Sequence, residues 1–271
     1  MDHKTLGSEP EDLLTIAVEL ARQAGELVRQ TRISAIEHIG TKSTDTDIVT
    51  AADKAAESFV VGALAELRKG DQVLGEEGGQ RAGASVVRWI LDPIDGTVNY
   101  LYGLPNYAVS LAAEVDGRVV AGVVHNPATG EEWTAIRGQG AFRNGRPVRC
   151  STVTSLDMSL IASGFGYATE RREYQGRVIG GLLPRIRDLR RFGAASIDLC
   201  LAADGRVDAY FEKGLSLWDY AAGALVAEEA GLIVSGLRGA APGAEMVIAA
   251  PVGVFDALHA ALVELDADGG P

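Results

Sequence analysis

The chain has 271 residues, of which 47% are hydrophobic and 23% are charged, and it carries a formal net charge of -12. This composition predicts an ordinary soluble globular protein that is long enough for a large core. The acidic balance argues against nucleic acid as a general partner, and any phosphate site would need cations inside it.

The chain carries no sign of export or of a membrane. Its two cysteines, Cys150 and Cys200, form neither a metal-binding pattern nor a disulfide framework. The first residues, Met1-Asp2-His3-Lys4, are not an apolar signal core, and no window is apolar enough to span a bilayer. We therefore expect a cytoplasmic protein with reduced thiols and no membrane association.

Two amphipathic helices are predicted at the start of the chain. The first runs from Ser8 to Val28, with Ser8 and Glu11 as a capping box and Pro10 in the first turn. The second follows a polar stretch, with Thr50 and Asp53 as its capping box, and its apolar face continues to Leu67. Asp53 has either a capping role or a functional one.

A buried strand is predicted from Val86 to Leu91, ending at Asp92-Pro93 because proline lacks a ladder donor. Asp95 follows Asp92 three positions later, and sites of open α/β sheets lie beyond strand carboxyl ends. Two carboxylates ~5 Å apart repel by about 3 kcal/mol at an effective dielectric of ~20, so the pair needs a cation or a proton. Oxygen ligands favour Mg²⁺, Mn²⁺ or Ca²⁺. The alternative is a turn with solvated acids.

The remaining pattern predicts one domain over residues 1–271 with two halves. The N-terminal half, about 1–150, is α+β, and the glycine-rich stretch from Gly138 to Gly145 is a hairpin with an Asn144-Gly145 turn, not a nucleotide loop. In the C-terminal half, about 151–271, strands and helices alternate, which is typical of a covered α/β sheet. No linker or low-complexity segment separates the halves, and the sequence shows no internal repeat.

Acidic residues recur at the predicted element boundaries. Each has a simpler explanation alone: Glu76 with Glu77 suits a solvated loop, and Asp219 suits a helix N-cap. Their joint occurrence around one D-P-I-D-G-T turn favours a shared site, formed by Asp53, Glu76, Asp92, Asp95 and Asp219.

These motifs resemble those of the inositol monophosphatase family. Asp92-Pro93-Ile94-Asp95-Gly96-Thr97, followed by Val98-Asn99-Tyr100, is similar to its first signature, and Trp218 to Ala224 is similar to its second. Three further matches occur in the family's order, at Asp47 to Asp53, at Gly75-Glu76-Glu77 and at Gly138 to Gly145. The resemblance covers nearly the whole chain.

The resemblance implies a layered αβαβα fold of the sugar-phosphatase type, a homodimer, and two or three Mg²⁺ ions. Glu76, Asp92 and the carbonyl of Ile94 would hold one ion. Asp92, Asp95 and Asp219 would hold a second, and a third would lie near Glu76. It also implies inhibition by Li⁺.

The resemblance further implies roles in catalysis and substrate binding. Thr97 and Asp53 would orient and deprotonate a metal-activated water for in-line attack, which with Glu76 makes three catalytic residues. The amides of Gly96 and Thr97 suit phosphate oxygens. Ala194 stands where the family commonly has threonine or serine, so one polar contact is missing. The residues implied in substrate contact are Asp95, Gly96, Thr97, Gly193, Ala194, Ala195, Glu212 and Asp219.

The implied reaction is hydrolysis of myo-inositol monophosphate, a small phosphorylated polyol, to myo-inositol and phosphate. Three related activities stay open: fructose-1,6-bisphosphatase, histidinol-phosphate phosphatase and 3′-phosphoadenosine-5′-phosphate phosphatase. A non-enzymatic role associated with RNA or transcription is the alternative from another class. The acidic chain, which lacks an aromatic RNA-binding motif, gives that role little support.

Overall fold

The computed structural model describes residues 8–37, 45–78 and 80–270, with only the backbone described for 33–37 and 45–50. The side chains in the first part of the Asp47–Asp53 motif therefore lie outside the described residues. None of the helices in the described ranges combines the length and hydrophobicity that crossing a membrane requires.

The described residues form seven α-helices and twelve strands. The helices are α1 Pro10–Glu37, α2 Asp45–Leu67, α3 Thr97–Tyr102, α4 Thr169–Leu182, α5 Ala195–Ala203, α6 Leu217–Glu229 and α7 Val252–Glu264. The strands are β1 Gln72–Gly75, β2 Val87–Asp95, β3 Ala108–Val115, β4 Arg118–Asn126, β5 Glu131–Ile136, β6 Gly140–Arg143, β7 Arg146–Pro147, β8 Leu160–Ser163, β9 Asp188–Arg190, β10 Ala209–Glu212, β11 Leu232–Ser235 and β12 Val247–Pro251.

The twelve strands form two sheets, and these alternate with three layers of helices to give five layers. The first sheet has the order β1-β2-β3-β4-β5-β6-β7, and the second has the order β11-β12-β10-β8-β9. Helices α1 and α2 pack on the outer face of the first sheet, and α5 and α6 lie between the sheets. Helices α4 and α7 cover the outer face of the second sheet. The expected αβαβα fold is confirmed.

Strand β2 is buried on both faces, which explains its nearly continuous apolar sequence. Trp89 and Leu91 point into the core beneath α1 and α2, whereas Ile90 points into the core shared with α5 and α6. This alternation is the period of two that a strand imposes. Strand β1 is parallel to β2, and the strands from β2 to β7 are antiparallel to their neighbours.

The prediction that this strand ends at Asp92-Pro93 is wrong. Strand β2 continues to Asp95, and the pairing register with β3 shifts between Asp92 and Asp95. Pro93 and Ile94 lie opposite a single β3 residue there, so Pro93 stands in a bulge where its missing amide donor costs no regular ladder bond. The bulge, and not a turn, sets the relative direction of the two carboxylates.

The first helix begins later and ends later than predicted. It begins at Pro10, which confirms proline in the first turn, and the Leu13 amide donates to the Glu9 carbonyl at 3.1 Å. Ser8 and Glu11 are therefore not the capping box that their spacing indicated. The helix continues to Glu37, nine residues past the predicted end, because residues 29–37 contain neither glycine nor proline.

The second helix begins at Asp45, earlier than predicted, so the capping box of Thr50 and Asp53 is wrong. Asp53 lies inside the helix, with only 4% of its surface exposed. A simple capping role for this carboxyl group is therefore excluded.

The predicted hairpin turn at Asn144-Gly145 is confirmed. Both residues have positive φ, 48° and 73°, and they connect β6 to β7.

Two glycines in helix interiors allow a matched test of the packing between α5 and α6. A methyl group at Gly223 would lie 3.0 Å from both Leu199 Cβ and the Ser196 carbonyl oxygen, whereas one at Gly62 would meet nothing within 4 Å. Gly62→Ala should stabilise the protein by about 0.5–1 kcal/mol through helix propensity. Gly223→Ala should instead destabilise it, because overpacking costs roughly 1–3 kcal/mol. Urea unfolding of both variants measures the difference, and equal stabilisation would show that the helices are not in close contact.

Candidate active site

A polar cavity of about 240 Å³ opens where β1 and β2 end. The carboxyl ends of these parallel strands bring Glu76, just after β1, close to Asp92 and Asp95. The second sheet and the helices between the sheets complete the wall. The implied site residues that line the cavity are Glu76, Asp92, Ile94, Asp95, Gly96, Thr97, Gly193, Ala195, Glu212 and Asp219. Asp53 and Ala194 lie next to these residues but do not line it.

Asp92 and Glu76 form the entrance side of the acidic group. Asp92 is buried, its Oδ1 accepts the Ile94 amide at 3.0 Å, and it shares a hydrogen bond with Glu76. Glu76 stands at the mouth of the cavity, where the residue is exposed but its carboxyl group is partly withdrawn from solvent beside Asp92. Burial raises the pKa of both carboxyl groups, and the neighbouring Asp95 raises both further. The pair therefore favours a shared proton or an added cation over two free negative charges.

Asp95 lies against the first turn of α5. Its Oδ1 accepts the Ala195 amide at 3.2 Å, and its Oδ2 accepts the Ser196 amide at 2.7 Å and the Ser196 hydroxyl. Burial raises the pKa of Asp95, and these hydrogen bonds act in the opposite direction because they favour the charged form. Asp95 therefore connects the first sheet to α5 and also presents a carboxylate to the cavity.

Asp219 approaches from α6. It is the third residue of that helix and its carboxylate accepts the Ser216 amide at 2.6 Å. Ser216 is the N-cap, so the expectation that Asp219 is the N-cap is wrong, although both belong to one capping box. Burial, and then the charge of Asp95, raise the pKa of Asp219 to about 7.

The donor set fits a hard divalent cation in its chemistry. Five carboxyl groups and three cationic side chains line the cavity, so it has an excess of negative charge that a divalent ion would reduce. The atoms that these acidic side chains offer to a metal are all carboxylate oxygens, which Mg²⁺ prefers as ligands. Within the described ranges, however, no three His, Cys, Asp or Glu side chains already have the arrangement of a metal centre. The chemistry of the ligands is present, whereas their coordination geometry is not preformed.

Thr97 and Asp53 occupy the two sides of the acidic group. The Thr97 hydroxyl donates to the Ile94 carbonyl oxygen at 3.0 Å. Asp53 Oδ1 is buried and has no hydrogen-bond partner. Burial, followed by the nearby Glu77 and Glu76, raises the pKa of Asp53 to about 8. In the folded protein without metal this carboxyl group therefore keeps its proton up to about pH 8, and its ionised form is a stronger base than an ordinary aspartate.

Glu212 ends β10 on the opposite wall. Its Oε2 accepts the Tyr210 hydroxyl at 2.7 Å, and burial raises its pKa to about 7. Gly164 makes room for it, because a Cβ there would overlap the Glu212 carboxyl group. Lys213 points away from Glu212 and donates to the carbonyl oxygens of the C-terminal segment at Asp268, Gly269 and Gly270. Glu212 is therefore not a solvated acid paired with its neighbour.

The structure adds residues that the sequence motifs missed. Arg171 and Arg191 line the cavity, and Arg191 lies two residues before the Gly193 turn, which was the only signal for it. Asp198 is fully buried behind the wall, and neither of its carboxyl oxygens has a hydrogen-bond partner of normal geometry. Burial and the charge of Glu212 raise the pKa of Asp198. No local pattern indicated Arg171 or Asp198.

The layered fold and the acidic cavity at the strand ends define a layered α/β protein with a polar, oxygen-rich site. The sequence pattern of the inositol monophosphatase family matches residues 9–266, and the chain belongs to this family. The motif resemblance is thereby confirmed over nearly the whole chain.

Two relatives and one solved structure illustrate the likeness. The chain is 44% identical to an inositol-1-monophosphatase SuhB of Mycobacterium tuberculosis, over 94% of each chain. It is 39% identical to the Nus factor SuhB of Escherichia coli, over 84% of this chain and 86% of the relative. The solved structure of Mycobacterium tuberculosis SuhB superimposes with a TM-score of 0.84 and 41% identity, covering 96% of this chain and 99% of that one.

The raised pKa of Asp53 predicts a pH-dependent effect on stability without metal. The folded state holds its proton up to about pH 8, whereas the unfolded state releases it near pH 4, so stability from this group is lost as pH rises between these values. Asp53→Asn cannot ionise and should be more stable than the parent by about 1–3 kcal/mol at pH 8, with little difference near pH 4. Urea unfolding in EDTA at both pH values measures this.

The matched control for that measurement is Asp256→Asn, because Asp256 is exposed on α7. It should change stability equally little at both pH values. If Asp53→Asn were destabilised by the same amount at pH 4 and pH 8, the carboxyl group would not be protonated in the folded protein.

Proposed function

We propose that the protein hydrolyses myo-inositol monophosphate to myo-inositol and phosphate in the presence of Mg²⁺. The observation that carries this proposal is a group of four carboxyl residues in one small cavity: Glu76, Asp92 and Asp95 at the ends of two parallel strands, and Asp219 from the first turn of α6. Relatives at 44% identity named inositol-1-monophosphatase support the choice of substrate.

The site residues would divide into metal ligands and groups that act on water and phosphate. Glu76, Asp92, the Ile94 carbonyl, Asp95 and Asp219 would hold Mg²⁺. The bound ion would supply positive charge to the phosphate oxygens and lower the pKa of water. The excess of acidic over cationic groups in the cavity supports this need for a cation.

Asp53 is the proposed proton acceptor. Its Oδ1 has no hydrogen-bond partner, and its raised pKa makes the carboxylate a stronger base than an ordinary aspartate. A cation bound nearby would lower this pKa, so that Asp53 would be ionised near neutral pH and able to remove a proton from the attacking water. Thr97 would orient that water through its hydroxyl, which now donates to the Ile94 carbonyl. The amides of Gly96 and Thr97, both in the cavity wall, would donate to phosphate oxygens.

The alcohol part of the substrate would contact the second sheet. Glu212, oriented by Tyr210, would accept hydrogen bonds from ring hydroxyls. Gly193 lies in the wall beside it, whereas the Ala195 amide already donates to Asp95. Ala194 packs next to Gly96, where its backbone, and not its methyl group, would provide any polar contact.

A transcription-associated role is the second candidate, because relatives from Escherichia coli and Salmonella typhimurium are named Nus factor SuhB. The net charge of -12 disfavours direct binding of nucleic acid. We place the phosphatase first because the proton acceptor and the metal ligands occur together. Fructose-1,6-bisphosphate, histidinol phosphate and 3′-phosphoadenosine-5′-phosphate remain alternative substrates for the same hydrolysis.

We also propose that the protein acts as a homodimer in the cytoplasm.

Phosphate release should depend strictly on a divalent cation. EDTA should abolish release from inositol 1-phosphate, and Mg²⁺ should restore it, because the cavity has too few cationic groups for a phosphate dianion. Glu76→Gln is the cleanest ligand variant, since Glu76 lies exposed at the mouth whereas Asp95 also caps α5. It should lose about 100-fold or more in kcat/KM, a few kcal/mol of metal assistance. Undiminished turnover in EDTA would reject the metal-dependent function.

Substrate choice should depend on Glu212 and, to a smaller extent, on Tyr210. Glu212→Gln should lower the ratio of kcat/KM for inositol 1-phosphate over β-glycerophosphate by about 10–100-fold, because a charged hydrogen bond is worth roughly 1.5–3 kcal/mol. Tyr210→Phe removes only the hydroxyl that orients Glu212 and should lower the ratio by about 2–10-fold. An unchanged ratio in Glu212→Gln would mean that the ring hydroxyls bind elsewhere.

A further inference from the structure

Helix α2 carries a second buried carboxylate on the same face as Asp53. Glu57 follows Asp53 by four residues, which places both side chains on one face of the helix, and only 5% of Glu57 is exposed. Its Oε2 accepts the backbone amide of Glu77 at 2.9 Å. The bond therefore connects α2 to the turn that follows β1 and carries Glu76.

Gly75 shows that this contact is built into the turn. A Cβ at position 75 would overlap the Glu57 carboxylate and stand 2.7 Å from its Cδ. Gly75 is not one of the glycines with positive φ, so its backbone conformation does not require glycine. The space that Glu57 occupies accounts for the missing side chain.

We propose that Glu57 is a positioning residue that fixes the Gly75-Glu76-Glu77 turn so that the Glu76 carboxylate faces Asp92 across the cavity mouth. The inference rests on the proposed function, in which Glu76 is a metal ligand. Glu76 is exposed at the cavity mouth, and the Glu77 amide next to it is bound by Glu57, so Glu57 holds the backbone from which the Glu76 side chain extends. An outer-shell group that orients a ligand in this way reduces the ordering needed when the cation binds.

Three variants separate the hydrogen bond from the charge. Glu57→Gln retains a carbonyl oxygen that can accept the Glu77 amide, whereas Glu57→Ala removes the acceptor. Gly75→Ala displaces the carboxylate without changing it. Glu66→Ala is the matched control, because Glu66 is an exposed glutamate on the same helix.

The first measurement is Mg²⁺ and Mn²⁺ affinity by isothermal titration calorimetry, without substrate. Glu57→Ala and Gly75→Ala should each weaken binding about 10–100-fold, the usual effect of losing an outer-shell partner. Glu57→Gln should bind within about three-fold of the parent if the acceptor matters more than the charge. The double variant Glu57→Ala/Gly75→Ala should be no weaker than the weaker single variant, because both changes break the same contact.

The second measurement is hydrogen exchange of the Glu77 amide, which needs neither metal nor turnover. Glu57→Ala should speed its exchange at least about ten-fold, and Glu57→Gln and Glu66→Ala should leave it protected. Unaltered protection or affinity in Glu57→Ala would overturn the proposal, as would a Gln variant as weak as the Ala variant. A parent protein that binds no cation and releases no phosphate would instead reject the proposed function, and the exchange result would still test the contact.

Discussion

The mutual repulsion of carboxyl groups at the end of β2 is the constraint on which the site depends. Asp92 and Asp95 are buried and stand close to Glu76 and Asp219, and burial raises the pKa of each one. Groups in this state are unfavourable as free anions. A proton or a cation would compensate these acids, so the charge repulsion that weakens the metal-free fold would also favour the binding of a divalent ion.

The fold supplies specific partners that limit this repulsion. The first turn of α5 donates two amides and a hydroxyl to Asp95, and the N-cap amide of α6 donates to Asp219. Both helices lie between the sheets and approach closely at Gly223. This close contact leaves little freedom in the relative position of α5 and α6. The two helices therefore hold Asp95 and Asp219, which are distant in the chain, towards one cavity. The middle helical layer therefore both packs the two sheets together and positions Asp95 and Asp219.

The local sequence predicted the types of most elements but not their limits. Trp89, Ile90 and Leu91 alternate between two cores. A strand covered on both faces needs no polar positions, so the sequence of this strand is a nearly continuous apolar run that predicts a buried strand. The bulge at Pro93 could not be predicted, because it depends on the register with β3, which the β2 sequence does not contain. The predicted capping boxes at Ser8 and Thr50 were wrong for a similar reason. Several positions near a helix start can satisfy the capping-box motif, and tertiary packing decides at which of them the helix begins.

The sequence by itself determined the acidic residues, their order and the family, because D-P-I-D-G-T, W-D and G-E-E are local patterns with a specific chemistry. Only the tertiary structure decided which residues surround them. Arg171, Arg191 and Asp198 are far from β2 in the chain. Arg171 comes from the start of α4, Arg191 from directly after β9 and Asp198 from α5. Glu57 could be recognised only when α2 was seen against the turn after β1. Contacts of this kind depend on how distant segments pack, and no short sequence window contains both partners.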